Sequence, residues 1–389
     1  MAKRFGLSPN QAGFGLGAYP LKGTILGNSC PIPDRCDRSY PYRMHNGTCN
    51  NLKKPLWGSA STAFQRTLLP EYSDGIWEPK VAKSGNFLPS ARLISTKIVP
   101  DMNKPSELDT HNVMQWGQFT DHDITHSPLF RLGNTNSSGI QCCTESGSET
   151  VSQLVSHPRC LPIPIPANDP FYRRHKQRCM NFVRSLPGPQ ESCAFGYAEQ
   201  QNQITHFHDA SQVYGSDEEE ALKLRSGKGG LMRSYQPREG KELLPQQEGR
   251  LESDECAIDS EKQKQQDKKC FKAGDSRSNE QPGLAAFHTV WLREHNRLAR
   301  ELAYLNPHWK DEKLYQEARR ILVAELQHIT YNEWLPIVLG TNFMDSLDIL
   351  PLTHGHNTKY NPKINPSILN SFSTAAFRFG HSLIQGLLE

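Results

Sequence analysis

The 389-residue chain predicts a mainly α fold with long connecting loops and little β structure. Three observations carry that prediction. Apolar residues recur at helical spacing through the last third, few runs alternate strictly, and roughly the first hundred residues are rich in Gly, Pro, Asn and Ser.

Taken in order, the chain up to about residue 104 reads as an extended, looping arm. Residues 1–29 read as a flexible extension ahead of a domain that runs from 30 to 389. The first strong helix signal is SELDTHNVMQWGQFTDHDITH, where Ser106 and Asp109 form a capping-box pattern and Pro128 marks the far end. Residues 131–190 are mostly loop, with LPIPIPANDP (161–170) extended or polyproline-like. The tract EKQKQQDKK (261–269) reads as a solvated loop. In GLAAFHTVWLREHNRLARELAYLNP, residues Leu284, Phe287, Trp291, Leu298, Leu302 and Leu305 keep helical spacing until Asn306-Pro307 ends the run. EKLYQEARRILVAELQHITYNEWLP repeats the pattern and is predicted to stop before Pro336. Asn365-Pro366 then supplies a cap and first-turn proline for a final helix.

Composition narrows the function. Hydrophobic residues make up 36% and charged residues 22%, which suits a globular chain. A net charge of +3 over 44 basic and 41 acidic residues gives no nucleic-acid footprint. No apolar run approaches the roughly 20 residues that span a bilayer. The 10 cysteines form no C-x-x-C pair, which argues against zinc ribbons and thioredoxin-like redox sites. Their even number suits disulfides and an oxidising compartment. N-x-[ST] sequons at Asn46 and Asn136 agree with secretion. The N-terminal MAKRFGLSPNQAGFGLG lacks the apolar core of a signal peptide, so the expectation is a secreted protein whose sequence begins inside a longer one.

The stretch DHDITH (121–126) poses the chemical question. Two histidines four apart on a helix share a face, as in zinc hydrolases of the H-E-x-x-H type. Here Asp123 replaces the glutamate, one methylene shorter, and no third ligand follows. On a helix, Asp121, His122 and Asp123 fan in three directions, while Gln118 stands one turn before His122. One compact zinc site cannot use all three.

WGQFTDHD, followed by ITHFHDASQVYGS (204–216), AGDSRSNE (273–280), HTVWLREHNRLARELAYLNPHW (288–309) and FRFGHSLIQ (377–385), resembles the animal haem peroxidase family. The resemblance runs from about Cys30 to the last residue and implies a mostly helical fold around a covalently attached haem b derivative. By resemblance, His122 is the distal histidine that moves a proton of hydrogen peroxide, Gln118 the distal glutamine and Arg277 the distal arginine. Asp121 and Glu280 match the carboxylates that form ester bonds to the haem. Gln281 stands where members with a third, sulfonium link carry methionine, and glutamine cannot form that link. His381 matches the proximal ligand of the haem iron, and Arg378 the arginine that pairs with a propionate. Asp123, with Thr205, Phe207 (through its carbonyl), Asp209 and Ser211, matches a calcium site, and the alternation in THFHDAS suits an extended ligand loop.

The resemblance also implies the pairs Cys36–Cys49, Cys256–Cys270, Cys142–Cys160, Cys143–Cys179 and Cys30–Cys193, although the adjacent Cys142 and Cys143 could exchange partners. Family members continue well beyond His381, and the asparagine that hydrogen-bonds the proximal imidazole lies in that further portion, so the sequence reads as incomplete at its C-terminus. The implied activity is oxidation of small anions (iodide, thiocyanate, bromide) or phenolic and tyrosyl donors by hydrogen peroxide. Two rivals stand beside it: a peroxidase-like adhesion domain, weakened because no RGD or KGD tripeptide occurs, and the zinc hydrolase.

Overall fold

A computed structural model describes residues 6–32, 35–99, 101–132, 139–152, 154–247 and 269–386. The chain divides into two compact units, each assembled from separated stretches.

The first unit takes residues up to 30, 66–108 and 127–201. Helix α1 (Pro9–Gly15) begins at a capping box: Ser8 Oγ accepts from Gln11 N, and Gln11 Oε1 accepts from Ser8 N, with Pro9 in the first turn. Helix α2 (Ala91–Ile98) carries Arg92, whose guanidinium forks onto buried Asp169 at 2.6 and 3.0 Å. The looping-arm expectation is therefore corrected. A local cap organises α1 inside a Gly- and Pro-rich segment because a satisfied first turn outweighs average propensity, whereas α2 has no side-chain cap and is tied down by Arg92. Strands β1 (Ile163–Pro164) and β2 (Cys179–Met180) pair antiparallel, as do β3 (Pro187–Gly188) and β4 (Glu199–Asn202) over residues 187–188 and 199–200. Disulfides Cys142–Cys160, Cys143–Cys179 and Cys30–Cys193 staple this unit around a small cluster of Ile140, Cys142 and Val183. They settle the partners of the adjacent cysteines.

The second unit (31–65, 109–126 and 202 onward) holds the larger core and the Cys36–Cys49 disulfide. Cys270 is disulfide-bonded too; Cys256, its expected partner, lies outside the described residues, as does the Asn136 sequon. So do residues 261–268 of the charged tract. Helix α3 (Asn112–Ile124) starts later than the capping-box pattern predicts. Ser106 Oγ accepts from Leu108 N at 3.3 Å in a local turn instead, the usual competition between a serine side chain and helical pairing. Short helices α4 (Ser211–Tyr214) and α5 (Glu218–Leu224, capped by Asp217) follow. Helix α6 (Pro282–Leu305) has Gln281 as its cap and ends at Asn306, as its apolar period predicts. Helix α7 (Asp311–Ile329) packs along α6.

The helical path does not stop before Pro336. It passes through a π turn at Thr330–Trp334 into α8 (Leu335–Leu339), then α9 (Thr341–Ser346). Pro336 falls in the first turn of α8, where no N–H is required of it, and the π turn absorbs the change of register. Asn365 does not cap a helix. Its Oδ1 accepts from Ser367 N and Oγ, while Gln65 and the 368–370 backbone exchange hydrogen bonds, so α10 (Asn370–Thr374) begins four residues beyond Pro366. A 3-10 stretch, Ala376–Leu383, then carries His381.

The core of this unit comprises Trp116 and Phe119 of α3, Tyr214 of α4, Leu284, Trp291 and Ala299 of α6, and Tyr315, Leu322 and Leu326 of α7, with Trp334. A fully buried leucine of this kind contributes about 2 kcal/mol by burial alone. Gly117 of α3 lets the Trp334 ring approach; a Cβ there would stand 3.1 Å from it. The fan of three side chains at 121–123 is thus held on a helix anchored by its aromatic face.

Candidate functional site

The second half of α3 supplies most of the site. Asp121, His122 and Asp123 are all buried, at 4%, 4% and 0% exposure, and they diverge as a helix requires. Asp121 Oδ1 accepts from Thr125 Oγ1 at 2.7 Å, and its Oδ2 accepts from Arg378 Nη1 at 3.0 Å. Burial pushes the Asp121 carboxyl above the usual range, against the pull of Arg378 and Arg277. His122 is held well below the ordinary imidazole range, first by burial and then by the Arg277 charge, so its ring is neutral. Its Nδ1 has no hydrogen-bond partner, and its Nε2 lies 3.6 Å from Glu280 Oε2.

Gln118, Asp121, His122, Glu280, Arg378 and His381 line one cavity of about 110 Å³. Six of the residues the sequence singles out therefore converge, from α3, the turn before α6 and the 3-10 stretch. Gln118 Nε2 donates to Glu280 Oε2 at 3.2 Å and its Oε1 accepts from Gln281 Nε2 at 2.9 Å. His381 is exposed at the rim rather than set on a regular α-helix.

Arg277 is placed differently. It does not line the cavity but lies behind His122. Its Nε and Nη2 fork onto Asp275 at 2.8 and 2.7 Å, and its Nη1 and Nη2 donate to the carbonyls of Thr125 (3.0 Å) and His122 (3.4 Å). Gly274 makes this possible: any Cβ would collide with the Val213–Gly215 backbone.

Asp123, Thr205, Asp209 and Ser211 of the calcium candidates also converge, though not as an extended loop, while the Phe207 carbonyl accepts from Asp209 N at 2.9 Å. Asp123 accepts from Ala210 N (3.1 Å), Ser211 N (2.6 Å), Ser211 Oγ (3.1 Å) and His208 Nδ1 (2.6 Å). These bonds curl residues 205–210 into bends, with Ala210 left-handed at φ 64°, which corrects the alternating-strand expectation. Thr205 Oγ1 donates to Asp209 Oδ1 at 2.8 Å, and Asp209 Oδ2 is buried without a partner. Burial, and then the neighbouring Asp123 charge, pushes the Asp209 carboxyl up to about 7.

The zinc reading fails on geometry. Helix α3 ends at Ile124, so His126 is not on the helical face of His122, and its N–H donates to Asn202 Oδ1 instead. Among the described residues no three His, Cys, Asp or Glu side chains are grouped to hold a metal. Sequence reading missed Asp275 and His208 as site residues. Asp275 carried one signal: it caps the 3-10 turn Ser276–Asn279, accepting from Arg277 N, the usual place for aspartate before a helical turn.

Two chemical fits follow. An imidazole, two carboxylates and an exposed histidine lining one cavity suit a haem. The cavity is smaller than the roughly 300 Å³ of small-ligand pockets. The buried, partnerless oxygen of Asp209 beside Asp123 and two hydroxyls matches a hard-cation site.

A helical core that gathers this donor set defines a haem-dependent class of protein. The family model for animal haem peroxidase matches residues 42–389, and the chain belongs to that family. It is 42% identical to chorion peroxidase of Drosophila melanogaster over 371 residues, 94% of this chain and 44% of that one. It is 43% identical to peroxidasin homolog of Homo sapiens over 366 residues, 89% of this chain and 23% of that one. With human eosinophil peroxidase it shares 39% over 375 residues, 92% of this chain and 49% of that one. The chain thus spans half or less of the length of each of these relatives. Among solved structures, peroxidase A from Dictyostelium discoideum superposes with a TM-score of 0.66 at 28% identity, covering 88% of this chain and 60% of that one. A fatty acid alpha-dioxygenase of Arabidopsis thaliana, at TM-score 0.60 and 21% identity, covers 89% of this chain and 48% of that one and shares the fold. No helix of the described residues is long and apolar enough to cross a membrane.

Proposed function

We propose that this chain carries the peroxide-reducing site of a secreted haem peroxidase, which oxidises small anions (iodide, thiocyanate, bromide) or phenolic and tyrosyl donors. The observation that carries this reading is the buried, neutral His122 sharing one cavity with His381, Asp121 and Glu280. A bound haem would supply the redox centre at which peroxide is reduced and donors are oxidised. Residues of this chain do the rest. His381 would hold the haem iron and Arg378 would pair with a propionate. Asp121 and Glu280 would form ester bonds, which suits Asp121 because an ester removes a charge that burial already disfavours.

His122 Nε2 faces the cavity and would accept a proton from peroxide and return it to the departing oxygen. Gln118, one turn earlier, would hold water or a halide beside it. Burial first and the Arg277 charge second keep the imidazole neutral, and Arg277, behind His122 rather than in the cavity, would act on developing negative charge through that ring. One calcium ion would bind Asp123, Asp209, Thr205, Ser211 and the Phe207 carbonyl, tying the 205–211 segment to the helix that carries His122. The disulfides in both units suit an oxidising, extracellular setting.

One absorption experiment tests the reading. The haem-loaded protein should keep its Soret band through acid–acetone extraction and oxidise iodide or a phenol with hydrogen peroxide. A haem-loaded protein inert to peroxide would refute the activity, and a band lost on extraction would refute the ester links.

A further inference from the structure

Asp275 lies outside the set of residues that touch the cavity, yet three distal side chains turn on it. It is 3% exposed, and its two oxygens are used on different sides. Oδ1 accepts from Arg277 N at 2.9 Å and Nε at 2.8 Å and stands 4.0 Å from His122 Nδ1. Oδ2 accepts from Arg277 Nη2 at 2.7 Å and stands 3.9 Å from His126 Nδ1. Through Arg277 the contact continues to the carbonyls of His122 and Thr125, at the C-terminal end of α3, where a cation opposes the partial negative charge of the helix terminus.

The imidazole of His122 sits between two carboxylates that compete for its ring proton. Glu280, 3.6 Å from Nε2, is 53% exposed at its side chain, while the Asp275 side chain, 4.0 Å from Nδ1, is 1% exposed. Water screens the first; the second is dry, and its charge is shared with the Arg277 guanidinium at 2.8 and 2.7 Å. The unpartnered Nδ1 is turned toward the buried charge. Arg277 offsets much of the Asp275 charge, and it is the carboxylate oxygen Oδ1, 4.0 Å from Nδ1, that favours hydrogen on Nδ1 and leaves the Nε2 lone pair on the cavity side, the tautomer a proton acceptor needs.

We propose that Asp275 is the positioning residue of the distal side. Its fork on Arg277 fixes the end of α3, and its carboxylate behind Nδ1 sets the tautomer of His122. It touches no reacting atom. This inference rests on the proposed haem chemistry, and its test is arranged so that the two can fail separately.

The test uses the full, haem-loaded chain and the association rate of cyanide, which needs a distal base but no turnover. Asp275→Asn keeps the shape of the side chain and removes its charge. We expect cyanide association to slow on the order of 10- to 100-fold, the range seen when a partner that orients a site residue is lost. The slowing should exceed that of Arg277→Gln, with an unchanged Soret position and haem content. Because Asp275→Asn leaves the Arg277 charge uncompensated, the neutral double variant Asp275→Asn/Arg277→Gln guards against misfolding and should be as slow as Asp275→Asn. Asp275→Asn within twofold of wild type, or no slower than Arg277→Gln, would overturn the proposal. A wild-type protein that binds cyanide normally but ignores peroxide would instead remove the peroxidase reading and leave this comparison intact.

Discussion

Arg378 Nη1 donates to Asp121 Oδ2 at 3.0 Å, and both residues line the cavity that holds His122. This contact joins the 3-10 stretch of His381 to α3 and holds a carboxylate whose burial disfavours its charge. If Asp121 and Glu280 are ester sites, neutralising both carboxyls must free the haem. We expect Asp121→Asn and Glu280→Gln each to keep some Soret absorbance through acid–acetone extraction, and the double variant to lose all of it. Full retention by the double variant would place the attachment elsewhere.

Removing the distal base should separate binding from chemistry. His122→Ala is expected to keep haem and slow the reaction with peroxide by about 10²- to 10⁴-fold, the usual contribution of a positioned acid–base group. Stopped-flow traces at the Soret band measure this directly. Unaltered kinetics would take His122 out of the mechanism.

Calcium should act on stability through the 205–211 segment. Asp209 Oδ2 is buried and partnerless, so a cation there relieves a destabilised carboxylate. We expect chelation to lower the melting temperature of the wild-type chain. By linkage, ligand at 100 times its dissociation constant stabilises by about 2.7 kcal/mol. The Asp209→Asn variant should melt at one temperature with or without calcium; a persisting calcium effect in that variant would sink the site.

Acid should destabilise the second unit through its buried histidines. Burial lowers His288 and His295 from 6.5 to about 4. Between those values the unfolded rings take protons that the folded rings refuse, so this contribution is full above about pH 6.5 and falls as pH drops toward 4, while Asp209 and Glu220, raised to about 7, act in the opposite sense. The slope is about 1.4 kcal/mol per pH unit for each histidine. Neither ring nitrogen of His288 has a partner. His288→Leu should therefore flatten the acid slope by about half of this two-histidine contribution without lowering stability at pH 7. Urea unfolding at pH 7 and pH 5 checks both statements.

Much of the site was legible in sequence because its parts are short and local. The span 118–123 needed only the helical period to set Gln118 above His122 and to send Asp121 and Asp123 apart, and the structure keeps that fan. The position of Arg277 was not legible. Nothing within GDSRS says that Asp275 takes the guanidinium and turns it to the back of His122.

The sequence by itself determined the two long helices, whose apolar stripes act within a few residues, and the end of the first at Asn306-Pro307. It also determined the residue types of the site. The tertiary structure decided where local signals would be obeyed. Ser106 caps no helix because its hydroxyl is spent in a turn, and Pro336 breaks none because the π turn ahead of it shifts the register. THFHDAS curls because the buried Asp123 carboxylate draws in two backbone N–H groups. In that last case the deciding partner, a buried carboxylate 87 and 88 residues away along the chain, is one that no local pattern encodes.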